Sequence, residues 1–275
     1  MTMSNLDINT TLATKILSGF IKSELSRVGF TRAVIGLSGG IDSALSLALV
    51  AEAIGKENVL ALRMPYKASS QDSLDHAQLC IDEFCVQSLT IPITEMADPL
   101  IALDPDMSKT RKGNIMARCR MIVLYDQSEA FGGLVIGTSN KTEILLGYST
   151  IFGDSASALN PIGDLYKTQV RQLSRAMGVP DEIVDKAPSA DLWADQTDES
   201  ELGFTYAEVD KLFYLLIDQR YSMNECVEAG FDEAFVQAVI KRVRQNQFKR
   251  MMPPIAKVSN RTIGYDFLYL RDWGT

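Results

Sequence analysis

The 275-residue sequence holds a single histidine, His76, and no run of the roughly 18 apolar residues that a membrane helix needs. Ser-His-Asp and Cys-His-Glu mechanisms require an imidazole beside the nucleophile, so either would have to use His76 or be absent. That residue stands in "SSQDSLDHAQLCIDEF", a polar-to-amphipathic helical stretch where a surface histidine is the plainer reading. Cysteine is scarce and scattered. Cys80, Cys85, Cys119 and Cys226 show no CxxC spacing, which argues against zinc or a disulfide framework and for the reduced thiols of a cytoplasm. Basic residues are outnumbered, 27 Lys and Arg against 35 Asp and Glu, for a net charge of −8. That charge argues against extensive nucleic-acid binding, which relies on a basic surface, and leaves room for a local basic pocket for one phosphorylated small molecule. The start, "MTMSNLDINTTLATKILSGF", lacks a basic leader, an apolar block and a small-residue cleavage site, so no secretory signal is expected. These absences leave a cytoplasmic globular enzyme with no membrane or nucleic-acid partner.

What is present reads as an α/β protein. Apolar positions at helical spacing (Leu12, Ile16, Leu17, Phe20, Ile21, Leu25) predict an amphipathic helix over 9–28. "RAVIGL" (32–37) predicts a buried strand, followed by a helix through Ala51. Further strands are expected at 58–65, 86–93 and 132–139, alternating with helices at 71–84, 110–130 and 140–147. This alternation implies a parallel sheet with helices on both faces. After 150 come a Gly/Ser/Asp-rich loop, a helix from Lys167 stopped by Gly178 and Pro180, an acidic segment with one tryptophan, a helical region over 205–250 and an irregular tail. No repeat, low-complexity tract or linker interrupts the chain, so 1–275 is expected to be one domain with helical elaboration on its C-terminal side.

The strand over 32–37 hands over to its helix through "SGGIDS", Ser38 to Ser43. A turn at the carboxyl end of a parallel strand that opens into a helix exposes unpaired backbone N–H groups at the positive end of the dipole, which is an anion site. Gly39 and Gly40 permit positive φ and let phosphate oxygens approach, while Ser38 and Ser43 add hydroxyl donors. Asp42 would repel a polyphosphate unless a divalent cation stood between them, and hard oxygen ligands suit Mg²⁺. The alternative is that Asp42 caps the helix and the glycines only make the turn. Five fixed positions of this kind match a random chain of this length on the order of once in several thousand. No lysine follows as in a Walker loop, and GxGxxG is absent.

"SGGIDS" resembles the pyrophosphate-binding loop of the N-type ATP pyrophosphatases, which adopt a Rossmann-like three-layer fold and cleave ATP between its α and β phosphates. "LRMPY" (62–66), "KGNIMARCRM" (112–121), "IGTSNKTE" (136–143), "GDLYKTQV" (163–170), "KAPSADL" (186–192) and "DESELGFTYAEVD" (198–210) are, in that order, similar to ammonia-dependent NAD synthetase. The resemblance covers residues 36 to about 250. It implies ATP contacts from Gly36, Leu37, Ser38, Gly39, Gly40, Ile41, Asp42 and Ser43, and from Arg63, Thr138, Lys167 and Ser189. It implies Mg²⁺ at Asp42 and Glu143, and deamido-NAD at Arg118 and Lys249. Read without the resemblance, Glu143 could be a solvated helix carboxylate and Arg63 an edge arginine. Ile151 and Ala158 replace a lysine and an aspartate that many family members have at the deamido-NAD site, and Phe248 replaces a histidine.

The implied reaction has two steps. The nicotinate carboxylate of deamido-NAD attacks the α-phosphorus of ATP, giving an acyl-adenylate and pyrophosphate; ammonia then displaces AMP to give NAD. Asp42 and Lys167 would act on the phosphates, and Asp154 and Asp191 are candidates for placing ammonia or taking its proton, with turn or cap aspartates as the plainer alternative. The family also implies a homodimer with deamido-NAD near the subunit interface. Rival readings are a tRNA-thiolating member of the superfamily, which would need a basic RNA surface, and a non-catalytic nucleotide-binding module, in which Asp42, Glu143 and Lys167 together would be unnecessary.

Overall fold

A computed structural model describes residues 6–189 and 197–267. Helix α1 (Thr10–Arg27) is capped by Asn9, whose side chain accepts from the Leu12 N–H. Strand β1 (Ala33–Gly36) follows, then α2 (Ile41–Ile54), β2 (Val59–Arg63), α3 (Gln71–Phe84) and β3 (Gln87–Thr90). The chain continues through α4 (Thr94–Ile101), α5 (Lys109–Phe131), β4 (Leu134–Ile136), α6 (Lys141–Leu146), α7 (Lys167–Ala176) and α8 (Asp181–Val184). The C-terminal helices are α9 (Asp198–Leu202), α10 (Tyr206–Phe213), α11 (Met223–Glu228) and α12 (Glu233–Gln245), with a π-helical turn at Tyr214–Asp218 and a 3₁₀ turn at Gln247–Arg250.

The four strands form one sheet in the order β3-β2-β1-β4 with every pair parallel. Alternation along β1 splits its side chains between two cores. Ala33 and Ile35 pack with α1, α2 and α7 through Ile21, Leu45 and Leu173, whereas Val34 packs with Leu60, Leu62, Met116 and Val123 on the α5 side. A third core joins Leu146 and Tyr166 to Tyr206, Phe213, Val236 and Val239, and so ties the C-terminal helices to the elements that follow β4. The chain steps outward from β1 through β2 to β3 and then returns to β4 on the other side of β1. That reversal opens a crevice at the carboxyl ends of β1 and β4, where ligands bind in open parallel sheets.

Each expected strand is found, but two readings needed correction. The edge strand β3 spans Gln87–Thr90 rather than 86–93, although the Ile91 and Ile93 N–H groups still donate to the Arg63 and Pro65 carbonyls (2.9 Å each). Its four residues are exposed, so the sheet is not covered at this edge. Helix α4 is an addition to the expected elements, an eight-residue helix with Pro99 inside it. Beyond β4, Leu159 bridges Ile136, and the Ala158 N–H donates to the Val135 carbonyl. Among the described residues no helix is long and apolar enough to cross a membrane, and all four cysteines are free.

Candidate active site

The glycine turn lies where the crevice opens. Leu37 N–H donates to the Leu62 carbonyl (2.8 Å), keeping the chain in register with β2 for one residue past Gly36. Gly39 then adopts φ +79°, and a Cβ there would stand 2.2 Å from the Ser73 carbonyl oxygen. Glycine is required at 39 by its backbone and by close packing against α3. Gly40 differs, since a Cβ on it would meet only Ser38 Oγ at 3.4 Å. The expected positive φ is thus found at Gly39, whose Cβ position is filled by the first turn of α3. The serines knit the turn: Ser43 Oγ accepts from Ser38 N–H (3.3 Å) and donates to the Gly40 carbonyl (2.9 Å), and Gly40 N–H donates to Ser38 Oγ (3.3 Å).

Helix α2 starts at buried Ile41 with Gly40 as its N-cap and without a side-chain cap, unlike α1, α3 and α5, which Asn9, Ser70 and Ser108 cap. Asp42 therefore does not cap the helix. Its Oδ1 accepts from Asn140 Nδ2 (2.9 Å), and its Oδ2 lies 2.5 Å from Lys167 Nζ. Asn140 is fully buried and caps α6 reciprocally with Glu143: Glu143 N–H donates to Asn140 Oδ1 (2.9 Å), and Asn140 N–H donates to Glu143 Oε2 (3.4 Å). Glu143 Oε1 lies 3.3 Å from the same Lys167 ammonium. One lysine thus joins the N-terminal turns of α2, α6 and α7.

Lys167 is only 2% exposed. Its backbone N–H donates to Thr142 Oγ1 (3.1 Å), whose hydroxyl donates to Asp210 Oδ1 (2.5 Å), while Thr168 N–H donates to Asp210 Oδ2 (2.8 Å). A carboxylate from α10 thereby satisfies the first turn of α7. Burial alone would depress the Lys167 ammonium, but Asp42 and Glu143 outweigh it and hold its pKa above the usual lysine range. Glu143 is pushed up to about 8 by burial and by the charge of Asp42. Asp198, raised chiefly by burial, accepts from Tyr148 and Tyr206 hydroxyls (both 3.1 Å), and the Tyr206 ring lies 5.1 Å from Lys167 Nζ. Two carboxylates, Asp42 and Glu143, thus share one ammonium, with a third, Asp198, close by. A divalent cation fits this surplus, because it would favour the ionised form of Glu143, and Mg²⁺ is commonly held by one or two carboxylates plus phosphate oxygens.

The other expected residues fall around this cluster. Thr138 is half-buried just past β4, and Arg63 ends β2 with its guanidinium on Gln78 Oε1 (2.6 Å). Ser189 follows Pro188, whose carbonyl accepts from Asp198 N–H (3.0 Å). A second group sits past the C-terminal end of α6, whose N-terminal turn carries Glu143. There Lys249 Nζ donates to the Gly147 and Ser149 carbonyls (2.7 Å each), and Arg118 donates to the Ile151 carbonyl (3.2 Å). Asp154, exposed, accepts from Thr150 N–H (2.7 Å), as a turn aspartate does. Asp191 lies outside the described residues. Asn140 escaped the sequence reading although the capping-box spacing of "NKTE" signals it. Asp198 and Asp210 carry no comparable local signal, since their partners are distant in sequence. His76 is half-buried rather than a surface residue, 3.3 Å from Lys186 Nζ.

The sequence model of the NAD synthase family matches residues 13–253. The chain is 57% identical over 272 residues to the NH3-dependent NAD+ synthetase of Trichlorobacter lovleyi, covering 99% of this chain and 100% of that one. Among solved structures it is similar to the NH3-dependent NAD synthetase of Campylobacter jejuni, with TM-score 0.78 and 33% identity over 91% of this chain and 100% of the other. It is also similar to the NMN synthetase of Francisella tularensis, with TM-score 0.81 and 31% identity over 91% and 99%. With its glycine turn, switch-point crevice and shared lysine, the chain belongs to the NAD synthase family.

Proposed function

We propose that the protein forms NAD from deamido-NAD, ATP and free ammonia, with release of AMP and pyrophosphate. The observation that carries this reading is the Asp42–Lys167–Glu143 cluster set beside an uncapped helix N-terminus and a glycine turn. The unpaired N–H groups that open α2 bind and orient the phosphates of ATP, and Lys167 neutralises charge on them. Asp42 and Glu143 would hold Mg²⁺, which when bound supplies further neutralisation of the polyphosphate. Thr138, Ser189 and Arg63 line the ATP side, and Gly36 to Ser43 its phosphates. Arg118 and Lys249 mark the deamido-NAD side, where their bonds to the 147–151 backbone shape that wall. Most of adenylation is then positioning and charge neutralisation. Asp154 and Asp191 are the residues we assign to receiving ammonia. The chain works as one folded unit, 1–275, in a cytoplasmic homodimer.

Free ammonia as donor is supported by the Trichlorobacter relative, matched over its whole length and named for ammonia dependence. A mononucleotide acceptor is the second reading, favoured by the likeness to the Francisella NMN synthetase and by Ile151 and Ala158. Purified protein with ATP, Mg²⁺ and ammonium should convert deamido-NAD to NAD and AMP. Absence of both products sinks the proposal; an amide formed only from nicotinate mononucleotide replaces it with the second reading.

A further inference from the structure

We propose that Asp210, on α10, is a positioning residue for the reaction: bonded at once to the first turns of α6 and α7, it sets Glu143 of one helix against Lys167 of the other. The inference rests on the reading that Glu143 and Lys167 act on ATP and its metal ion. Asp210 Oδ1 accepts from Thr142 Oγ1 (2.5 Å), on the residue next to Glu143. Its Oδ2 accepts from the Thr168 N–H (2.8 Å), on the residue next to Lys167. Thr142 Oγ1 closes the ring by accepting from the Lys167 N–H (3.1 Å). Thr142 and Asp210 are both fully buried. The partners of Asp210 are a hydroxyl and a backbone N–H rather than the ammonium, so it acts on the site through the placement of two helices.

A helix end does not by itself call for this arrangement. Helices α10, α11 and α12 are capped locally by Thr205, Ser222 and Asp232. At α7 the cap residue Tyr166 makes no side-chain cap bond, and the acceptor comes from 42 positions away. Burying a carboxylate is costly, whereas a local hydroxyl would serve an isolated helix end. What Asp210 adds is one acceptor group shared by two helices. Asp218 repeats the bridge nearer the surface: its Oδ1 lies 2.9 Å from Lys141 Nζ, and its Oδ2 accepts from the Tyr166 hydroxyl (3.0 Å). In a regular α-helix the eight positions from 210 to 218 would leave these two carboxylates about 80° apart around the axis. The chain between them instead makes the π-helical turn, in which the Gln219 N–H donates to the Tyr214 carbonyl (3.0 Å), and its wider winding takes up part of that offset. Packing of Tyr206, Leu212 and Phe213 against Val236 and Val239 holds α10 in place. The C-terminal helices thus act as a splint for the site.

Steady-state kinetics and thermal melting of the full chain test this together. Thr142→Val removes the hydroxyl and keeps the branched shape; kcat should fall roughly 10- to 100-fold, the scale for misplacement by about 1 Å, with little change in KM for deamido-NAD. Thr142→Ser should recover most of kcat, and Asp210→Asn, which keeps the size and loses the charge, should resemble Thr142→Val. Val236→Ala opens the same core without touching these bonds, so it should lower the melting temperature and retain kcat. Unchanged kcat in Thr142→Val, no recovery in Thr142→Ser, or an equal loss in Val236→Ala overturns the proposal. If Asp210→Asn does not fold, the two Thr142 variants decide. Calorimetry supplies a readout apart from turnover: Thr142→Val should bind ATP with Mg²⁺ more weakly than wild type while its affinity for AMP is retained, and equal changes for both would count against Asp210. A wild-type protein that makes no NAD would remove the functional reading, and the contrast between ATP and AMP would then decide the role of Asp210. Wild type and variants that all turn over deamido-NAD equally well would do the reverse.

Discussion

At Lys167 burial and counter-charge oppose each other, and the two carboxylates win because both lie within 3.3 Å. Glu143 is the member that bears the cost, with its carboxyl pushed up to about 8 by burial and Asp42. A group with a raised folded-state pKa binds more protons folded than unfolded between about 4.5 and 8. Its stabilising contribution is therefore complete at the acid end and is lost as pH rises through 8. Thermal unfolding of the metal-free protein should show wild type losing stability relative to Glu143→Gln from pH 5 to 8, by at most about 1.4 kcal/mol per pH unit. A difference that does not change with pH would show that Glu143 is ionised throughout. Asp42→Ala tests the other carboxylate. Because Gly40 and not Asp42 occupies the cap position, the circular-dichroism spectrum should be retained. Turnover should fall by at least roughly 100-fold, the scale for a lost preorganised charge contact. Loss of helicity instead would return Asp42 to a structural role.

At the scale of elements, the glycine turn shows how a loop is fixed by its neighbours. Gly39→Ala must place a side chain at φ +79°, which costs about 1–2 kcal/mol. The Cβ must also displace the Ser73 backbone, so α3 has to move. We expect a lower melting temperature together with weakened ATP binding, whereas Gly40→Ala should leave stability nearly unchanged; equal stability losses in the two variants would contradict this account. The same contrast shows what the sequence makes legible. The runs around Val34, Leu62 and Ile136 declare strands because their side chains are buried on both faces, and the loop after β1 declares itself by residue type. The capping box at Asn140 is local and readable. Lys167 meets Asp42 across 125 positions, and Thr142 meets Asp210 across 68, so no pattern of period or spacing can announce either bond. Helix α4 was hidden for a different reason: Pro99 stands inside its eight residues, and proline in a short segment reads as a break.

The whole molecule leaves apolar side chains on the outside of two helices. On α1, Leu12, Ile16 and Phe20 recur every four residues and face solvent, Ile16 being 59% exposed. On α5, Ile122 is 53% exposed and Tyr125 is exposed beside it, one turn beyond exposed Arg118. Isolated apolar residues at a surface need no explanation, but stripes that continue along a helix face mark an interaction surface. The two stripes lie on opposite faces of the sheet, so a two-fold homodimer would close over one of them, and closed over α5 it would bring its interface within one helical turn of Arg118, which we propose to face deamido-NAD. A stable interface of this kind removes about 800 Å² per partner from water, so a lysine placed at its centre is poorly tolerated. Ile122→Lys should shift the protein from dimer to monomer in sedimentation equilibrium if α5 carries the interface, and Ile16→Lys should do so if α1 carries it. The Ile122 variant should also bind deamido-NAD more weakly yet keep its ATP affinity, because the glycine turn, Lys167 and Glu143 all belong to one chain. A wild-type monomer, or dimers that survive both substitutions, would assign the stripes to something other than self-association. Loss of ATP and deamido-NAD binding together would instead mean that the lysine had disturbed the sheet through α5, whose other face packs on β1 and β4.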